Sequence, residues 1–205
     1  MHLRYLVLFG ALLLCQLCFG AERDSVVAIS KDEFDKGLSL TTKRSIDKSV
    51  WKVNGRLSVA KNCEVFIDDS TDRDYHEYNY EGDLDKSHRY KVVRELFYNG
   101  NEYFILDTRN NCKLYHLLGK PGLSGDLIIN LNESETTDAK LLIEIWKVGV
   151  TGISKVRTID LQNYKGPSKN IYAIELKISD KRKILIRDSK DKYWRVEYVL
   201  PMAGN

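Results

Sequence analysis

From Trp51 onward the apolar residues of this chain recur at every second position, and this alternation limits the fold more than any other feature. Tyr172, Ile174, Leu176 and Ile178 fall on one side of an extended segment, with Glu175 and Lys177 on the other. Trp194, Val196, Tyr198 and Leu200 repeat the pattern, with Arg195 and Glu197 opposite. A period of two with one apolar and one charged side is that of a half-buried antiparallel strand. Segments of this kind are read at 51–59, 63–68, 90–98, 103–108, 113–118, 126–131, 140–148, 156–161, 171–178, 183–187 and 193–200. Most are rich in Val, Ile, Tyr, Phe or Trp and end at Gly, Asn, Asp or Ser. Tyr98-Asn99-Gly100-Asn101 predicts a hairpin between two aromatic strands. Gly122-Leu123-Ser124-Gly125 reads as a turn. The segments around 97–114 and 178–195 share a loose strand–turn–strand plan.

The expected fold is therefore all-β and mainly antiparallel: two curved facing sheets or a half-barrel, with a hydrophobic pocket. One short helix precedes it. Ser30-Lys31-Asp32-Glu33 has the spacing of a capping box, which predicts a surface helix from Lys31 to about Lys36, stopped by Gly37. Residues 21–50 are polar and mixed, and 51–205 are read as one β-rich domain with no Pro/Gly/Ser linker inside it.

The first twenty residues carry an address. His2 and Arg4 precede a Leu-rich run from Tyr5 to Phe19, followed by Gly20, Ala21 and then charge. This is the layout of a secretory signal peptide over residues 1–20. The run is shorter than the roughly 20 residues that a membrane-spanning helix needs. The expected location is extracellular, or the lumen of a secretory or lysosomal compartment. Cleavage would remove Cys15 and Cys18 and leave Cys63 and Cys112. In an oxidising compartment two cysteines pair by default. The loop so closed would stabilise by about 3–4 kcal/mol on the loop-entropy model. Asn132-Glu133-Ser134 is a glycosylation sequon in a polar stretch.

Charge is distributed unevenly. Residues 21–138 hold 17 basic and 22 acidic residues, whereas 139–205 hold 14 and 7. The basic C-terminal third could face an anionic surface or a protein. Nucleic acid is not an expected partner for a secreted chain of this charge.

Catalytic patterns are not found. His76, His88 and His116 have no zinc spacing, Gly122–Gly125 is one residue short of a nucleophile elbow, and there is no phosphate-binding glycine loop. The expectation is a binding protein, not an enzyme, with no cofactor. Asp68, Asp69, Asp72 and Asp74 open the most acidic stretch and form a candidate weak calcium site, although EF-hand spacing fails there. Aromatic and apolar residues at Trp51, Phe97, Tyr103, Ile105, Tyr115, Trp146 and Trp194 are the candidate pocket lining.

Trp51-Lys52-Val53-Asn54-Gly55-Arg56 resembles the Trp-x-Gly-Arg opening of ependymin-related proteins, with one or two residues more. The run from Glu95 to Asp107, leading through a polar turn to Cys112, resembles that family's strand, Gly turn, strand and Cys. The match spans roughly Trp51 to Ser134. Ependymin-like chains usually carry more cysteines, one of them late; here none follows Cys112. The resemblance implies two facing sheets around an apolar pocket, as in bacterial lipoprotein carriers. It also implies a lipid or other hydrophobic ligand, calcium sensitivity, glycosylation and homodimers. A secreted protein-interaction module without a cavity, and a lipocalin-like barrel, are the alternatives. The Gly-x-Trp start of the barrel is missing around Trp51.

Overall fold

The computed structural model describes residues 24–40, 44–63, 65–71, 75–132, 141–164, 173–180 and 182–199. Residues 1–20, the expected signal segment, lie outside them. Among the described residues the chain is antiparallel β-structure with a single short α-helix.

Sheet I is a three-stranded meander of β3 (Trp51–Val53), β4 (Arg56–Ser58) and β5 (Val65–Ile67). Sheet II follows with β6 (His76–Asp83), β7 (Tyr90–Phe97), β8 (Gly100–Asp107) and β9 (Lys113–Leu117). Sheet III comprises β10 (Gly122–Ser124), β11 (Leu127–Leu131), β12 (Leu142–Val148) and β13 (Ile153–Asp160). Sheet IV is built from both ends of the chain. Its order is β1 (Ser25–Ile29), β16 (Tyr193–Glu197), β15 (Lys183–Asp188), β14 (Ala173–Asp180) and β2 (Leu38–Ser39). The polar N-terminal segment thus supplies β1, whose Ser25–Ile29 pair with Glu197–Tyr193.

The all-β class holds, but the strands divide among four sheets instead of two. The reason lies in β11 and β12. All five residues of β11 are buried, so both faces of sheet III need cover. Leu127, Ile129, Leu131, Ile143 and Ile145 pack on Ile178, Ile184, Ile186, Trp194 and Val196 of sheet IV. Ile128 and Trp146 point the other way, onto Val92, Tyr103, Ile105 and Tyr115 of sheet II. Sheet II is also covered twice, because Val93 and Leu106 meet Leu57 and Val59 of the sheet I segment. The result is a stack running I, II, III, IV with three apolar layers.

Local chemistry explains the finer corrections. The segment 51–59, read as one strand, is a tight hairpin. Asn54 and Gly55 have φ of 49° and 72°, the two left-handed residues of a type I′ turn. Gly122–Ser124, read as turn, is strand β10, and the turn falls at Gly125, φ 61°. The β7–β8 hairpin forms where expected, yet Phe97 pairs with Gly100, so Tyr98 and Asn99 are its loop.

The shared plan of 97–114 and 178–195 has a physical basis in two equivalent turns. Asp107 ends β8 and Asp188 ends β15. Each backbone carbonyl accepts from the residue three on, Asn110 N at 3.2 Å and Asp191 N at 3.1 Å. Each carboxylate accepts from the residue two on, Arg109 N at 3.2 Å and Lys190 N at 2.8 Å.

Helix α1 (Lys31–Asp35) begins as its capping sequence predicts, with Ser30 Oγ accepting from Glu33 N at 3.1 Å. It is not only a surface element. Phe34 is 2% exposed and lies 5.1 Å from the ring of Tyr193. Lys177 Nζ sits 4.4 Å from the Phe34 ring centre on the outer face of sheet IV. Glu33 reaches Arg195 at 2.5 Å and Asp35 reaches Lys177 at 3.7 Å. One short acidic helix with one aromatic anchor therefore closes that end of the stack.

Candidate functional site

At the opposite end of the stack, nothing among the described residues covers the outer face of sheet I. In sheet I, strand alternation turns Lys52, Leu57 and Phe66 toward sheet II, where Phe66 contacts Tyr78 and Phe104. It turns Trp51, Val53, Arg56, Ser58, Val65 and Ile67 outward. Trp51, Val53 and Ile67 are 54%, 53% and 54% exposed. Arg56 is exposed, pairs with Val53 and Ile67 across the strands, and makes no ion pair among the described residues. Among the described residues of β3, β4 and β5, no carboxylate lies on this face. Isolated exposed apolar residues are ordinary, but several together on one sheet face mark an interaction surface.

Sheet I is held to the stack by three devices. The Cys63–Cys112 disulfide, with Cα atoms 5.4 Å apart, ties the β4–β5 loop to the β8–β9 turn. Lys52 Nζ donates to Tyr78 O at 2.8 Å and pairs with Asp68 at 2.7 Å. Asp68 Oδ1 in turn accepts from Tyr78 N at 2.9 Å.

The seven candidate pocket residues do not line one space. Tyr103, Ile105, Tyr115 and Trp146 come together, but as packed core between sheets II and III. Tyr115 meets Trp146 edge-on at 6.4 Å, and its hydroxyl accepts from Ile153 N at 3.3 Å. Trp194 lies in the next layer, its indole N–H donating to Asp188 at 2.9 Å. Phe97 neighbours His76 at the end of sheet II. Trp51 is outside. An open hollow of about 360 Å³ does occur, but polar groups such as Ser25, Asp180, Arg182 and Glu197 line it, and none of the seven.

Two of the candidate calcium ligands have partners within the chain. Asp68 serves Lys52 and Tyr78, and Asp69 accepts from Thr71 N at 2.9 Å. Asp72 and Asp74 lie outside the described residues. Asn132 follows β11, with its backbone N–H on Leu142 O at 2.9 Å; the rest of its sequon lies outside the described residues. Part of the basic excess of the C-terminal third is paired. Arg157 binds Asp24 at 2.6 Å, Arg195 binds Glu33 and Glu197, and Lys177 binds Asp35 and Glu175. Several of these acids come from the N-terminal segment, which explains how the opposite charges of the two regions meet.

Sequence reasoning missed a buried ionic cluster. Lys91 occupies an inward position of β7 and is 3% exposed. Its ammonium lies 2.6 Å from Asp47 and 2.8 Å from Asp83. Asp83 also accepts from Tyr80 Oη at 2.5 Å and is bonded to His88. Asp47, Asp83 and His88 place three ligand-type atoms within 4.8 Å of one another, as a metal site would. Lys91 already bridges both carboxylates, its single positive charge balancing one of their two negative charges. The one signal for it was the charged residue between Tyr90 and Val92, inside the otherwise apolar run 90–93.

Ionisation is shifted here with clear causes. The bond to the Lys91 ammonium, with those from Ser49, holds Asp47 well below the usual carboxylate range. Burial, then the bond to Asp83, pushes Tyr80 far above an ordinary phenol. Burial, then Glu95, does the same to Tyr78, and burial raises Tyr198 to about 12. A raised tyrosine pKa leaves stability intact below about pH 10, the unfolded value, and removes it as pH rises toward the folded value. We therefore expect part of the tyrosinate absorbance at 295 nm to appear only together with loss of the β circular dichroism. Complete, reversible titration near pH 10 with the sheet signal unchanged would contradict this.

No family model matches this chain, and no curated protein or solved structure matches it.

Proposed function

We propose that this is a secreted binding protein that engages its partner through the outer face of sheet I. The observation that carries the reading is the cluster Trp51, Val53 and Ile67, each more than half exposed on one face. Every other sheet face at the centre of the stack is covered by a neighbouring sheet, and the far face of sheet IV carries α1. Apolar surface left in water is unfavourable by about 25 cal/mol per Å², so its burial favours association. The disulfide and the signal-like N-terminus support an oxidising, secretory location. An interaction surface is favoured over carriage of a lipid in an interior pocket, because the aromatics expected to line such a pocket pack on one another.

The test uses Nile red, a neutral apolar dye, and the double variant Trp51→Ser/Ile67→Ser. Both residues are exposed, so the variant is expected to fold. Dye fluorescence should fall several-fold in the variant, with circular dichroism unchanged. Uptake that ignores both substitutions and is displaced by a fatty acid would place binding in an interior cavity and overturn the reading.

A further inference from the structure

The two ends of the stack share a surface chemistry, and one of them shows how it is covered. The outer face of sheet IV presents Leu185 and Tyr193 beside the cations Lys177 and Arg195. Helix α1 covers it by inserting Phe34 between the apolar groups and setting Glu33 and Asp35 on the two cations. Gly37 lets the chain come this close, since a Cβ there would stand 2.6 Å from Leu185 Cδ1. The outer face of sheet I presents Trp51, Val53 and Ile67 beside the cation Arg56, and nothing among the described residues covers it.

From this parallel we propose that the outer face of sheet I docks a short acidic, amphipathic segment of a partner protein. That segment carries a large apolar residue flanked by carboxylates. The proposal rests on the reading of this face as the binding surface, and it adds the class of partner. Charge complementarity selects the occupant. Arg56 stands in the middle of the apolar residues, and no described residue of β3, β4 or β5 adds a carboxylate to its face. A second copy stacked face to face would bring apolar groups or another Arg56 against it. Neither meets the guanidinium charge, and like charges across an interface oppose association. A segment like α1 supplies both the apolar anchor and the carboxylate, and a guanidinium with a carboxylate forms the strong paired hydrogen bond. Trp and Arg together are also the residues that most often dominate binding at such surfaces.

The experiment titrates the secreted protein with a lactam-stapled helical 12-residue peptide carrying Glu-Phe-Asp at its centre. A control peptide carries Lys-Phe-Lys. Trp51 reports the binding, because Trp146 and Trp194 are buried. The expected result is a blue shift of its emission and at least tenfold tighter binding of the acidic peptide. Arg56→Glu should weaken the acidic peptide at least tenfold and strengthen the lysine peptide. Equal binding of both peptides would overturn the acidic-partner proposal while leaving the surface itself in place. Loss of the Nile red difference described above would remove the surface. Two further results would replace the acidic segment with another occupant. One is a concentration-dependent dimer, seen by sedimentation and abolished by Trp51→Ser. The other is a blue shift on 7:3 phosphatidylcholine/phosphatidylserine vesicles with no response to either peptide.

Discussion

Replacing Lys91 with methionine is expected to destabilise the fold by about 3–5 kcal/mol. Methionine keeps the length and apolar stem of the side chain, so packing changes little. What is lost is the charge between Asp47 and Asp83, 2.6 and 2.8 Å away. Asp83 is fully buried, and an uncompensated buried carboxylate is far more costly than a missing contact. The size of the effect separates this cluster from the surface pairs, such as Lys31–Asp35, whose contribution is about 0–1 kcal/mol. Urea denaturation at pH 7 measures it. The double variant Lys91→Met/Asp83→Asn should recover part of the loss, because it removes one of the two stranded charges. A loss below about 1 kcal/mol in the single variant would show that the pair is not what holds β6 to β7 here. The acid limb supplies an independent check. Asp47 is held below its unfolded value, so its contribution is present above about pH 4 and fades as pH falls toward the folded value. Removing Lys91 removes the largest cause of that shift, and acid sensitivity should weaken.

Replacing both Cys63 and Cys112 with serine is expected to cost about 4 kcal/mol at 25 °C on the loop-entropy model, given the 49-residue separation. The loss should not be uniform. Sheet I consists of three-residue strands with one face in water, and the disulfide is its covalent tie to sheet II. Sheet III is buried on both faces. Hydrogen exchange should therefore accelerate first in β3–β5, while β11 and β12 remain protected until global unfolding. Binding through Trp51 should weaken under reducing conditions before the fold is lost. Equal acceleration in all four sheets would mean that the disulfide acts only on the unfolded chain and does not position the face.

Particular residues show how far the sequence could be read. Ser30 and Glu33 announce the start of α1, because capping is a contact between near neighbours. The alternation at Trp194, Val196 and Tyr198 points these side chains inward, as the structure has them. Cys63 and Cys112 are the two cysteines outside the Leu-rich first twenty residues, and they pair as expected for an oxidising compartment. The errors arise where one residue type serves two purposes. Asn54-Gly55 breaks a segment that composition alone joins, because two left-handed residues outweigh the strand preference around them. Tyr115 and Trp146 have the composition of a pocket lining and the position of a core, and composition cannot separate the two.

By itself the sequence determined the antiparallel β class and the helix start, and made the disulfide the default pairing. Each of these depends on contacts within a few residues or on a simple count. Only the tertiary structure decided the division into four sheets, the pairing of Lys91 with Asp47 and Asp83, and the covering of sheet IV by α1. It also decided that Trp51, Val53, Arg56 and Ile67 share an open face. These depend on which surfaces meet across long separations, and a strand's alternation says only that one side is apolar, not what will lie against it.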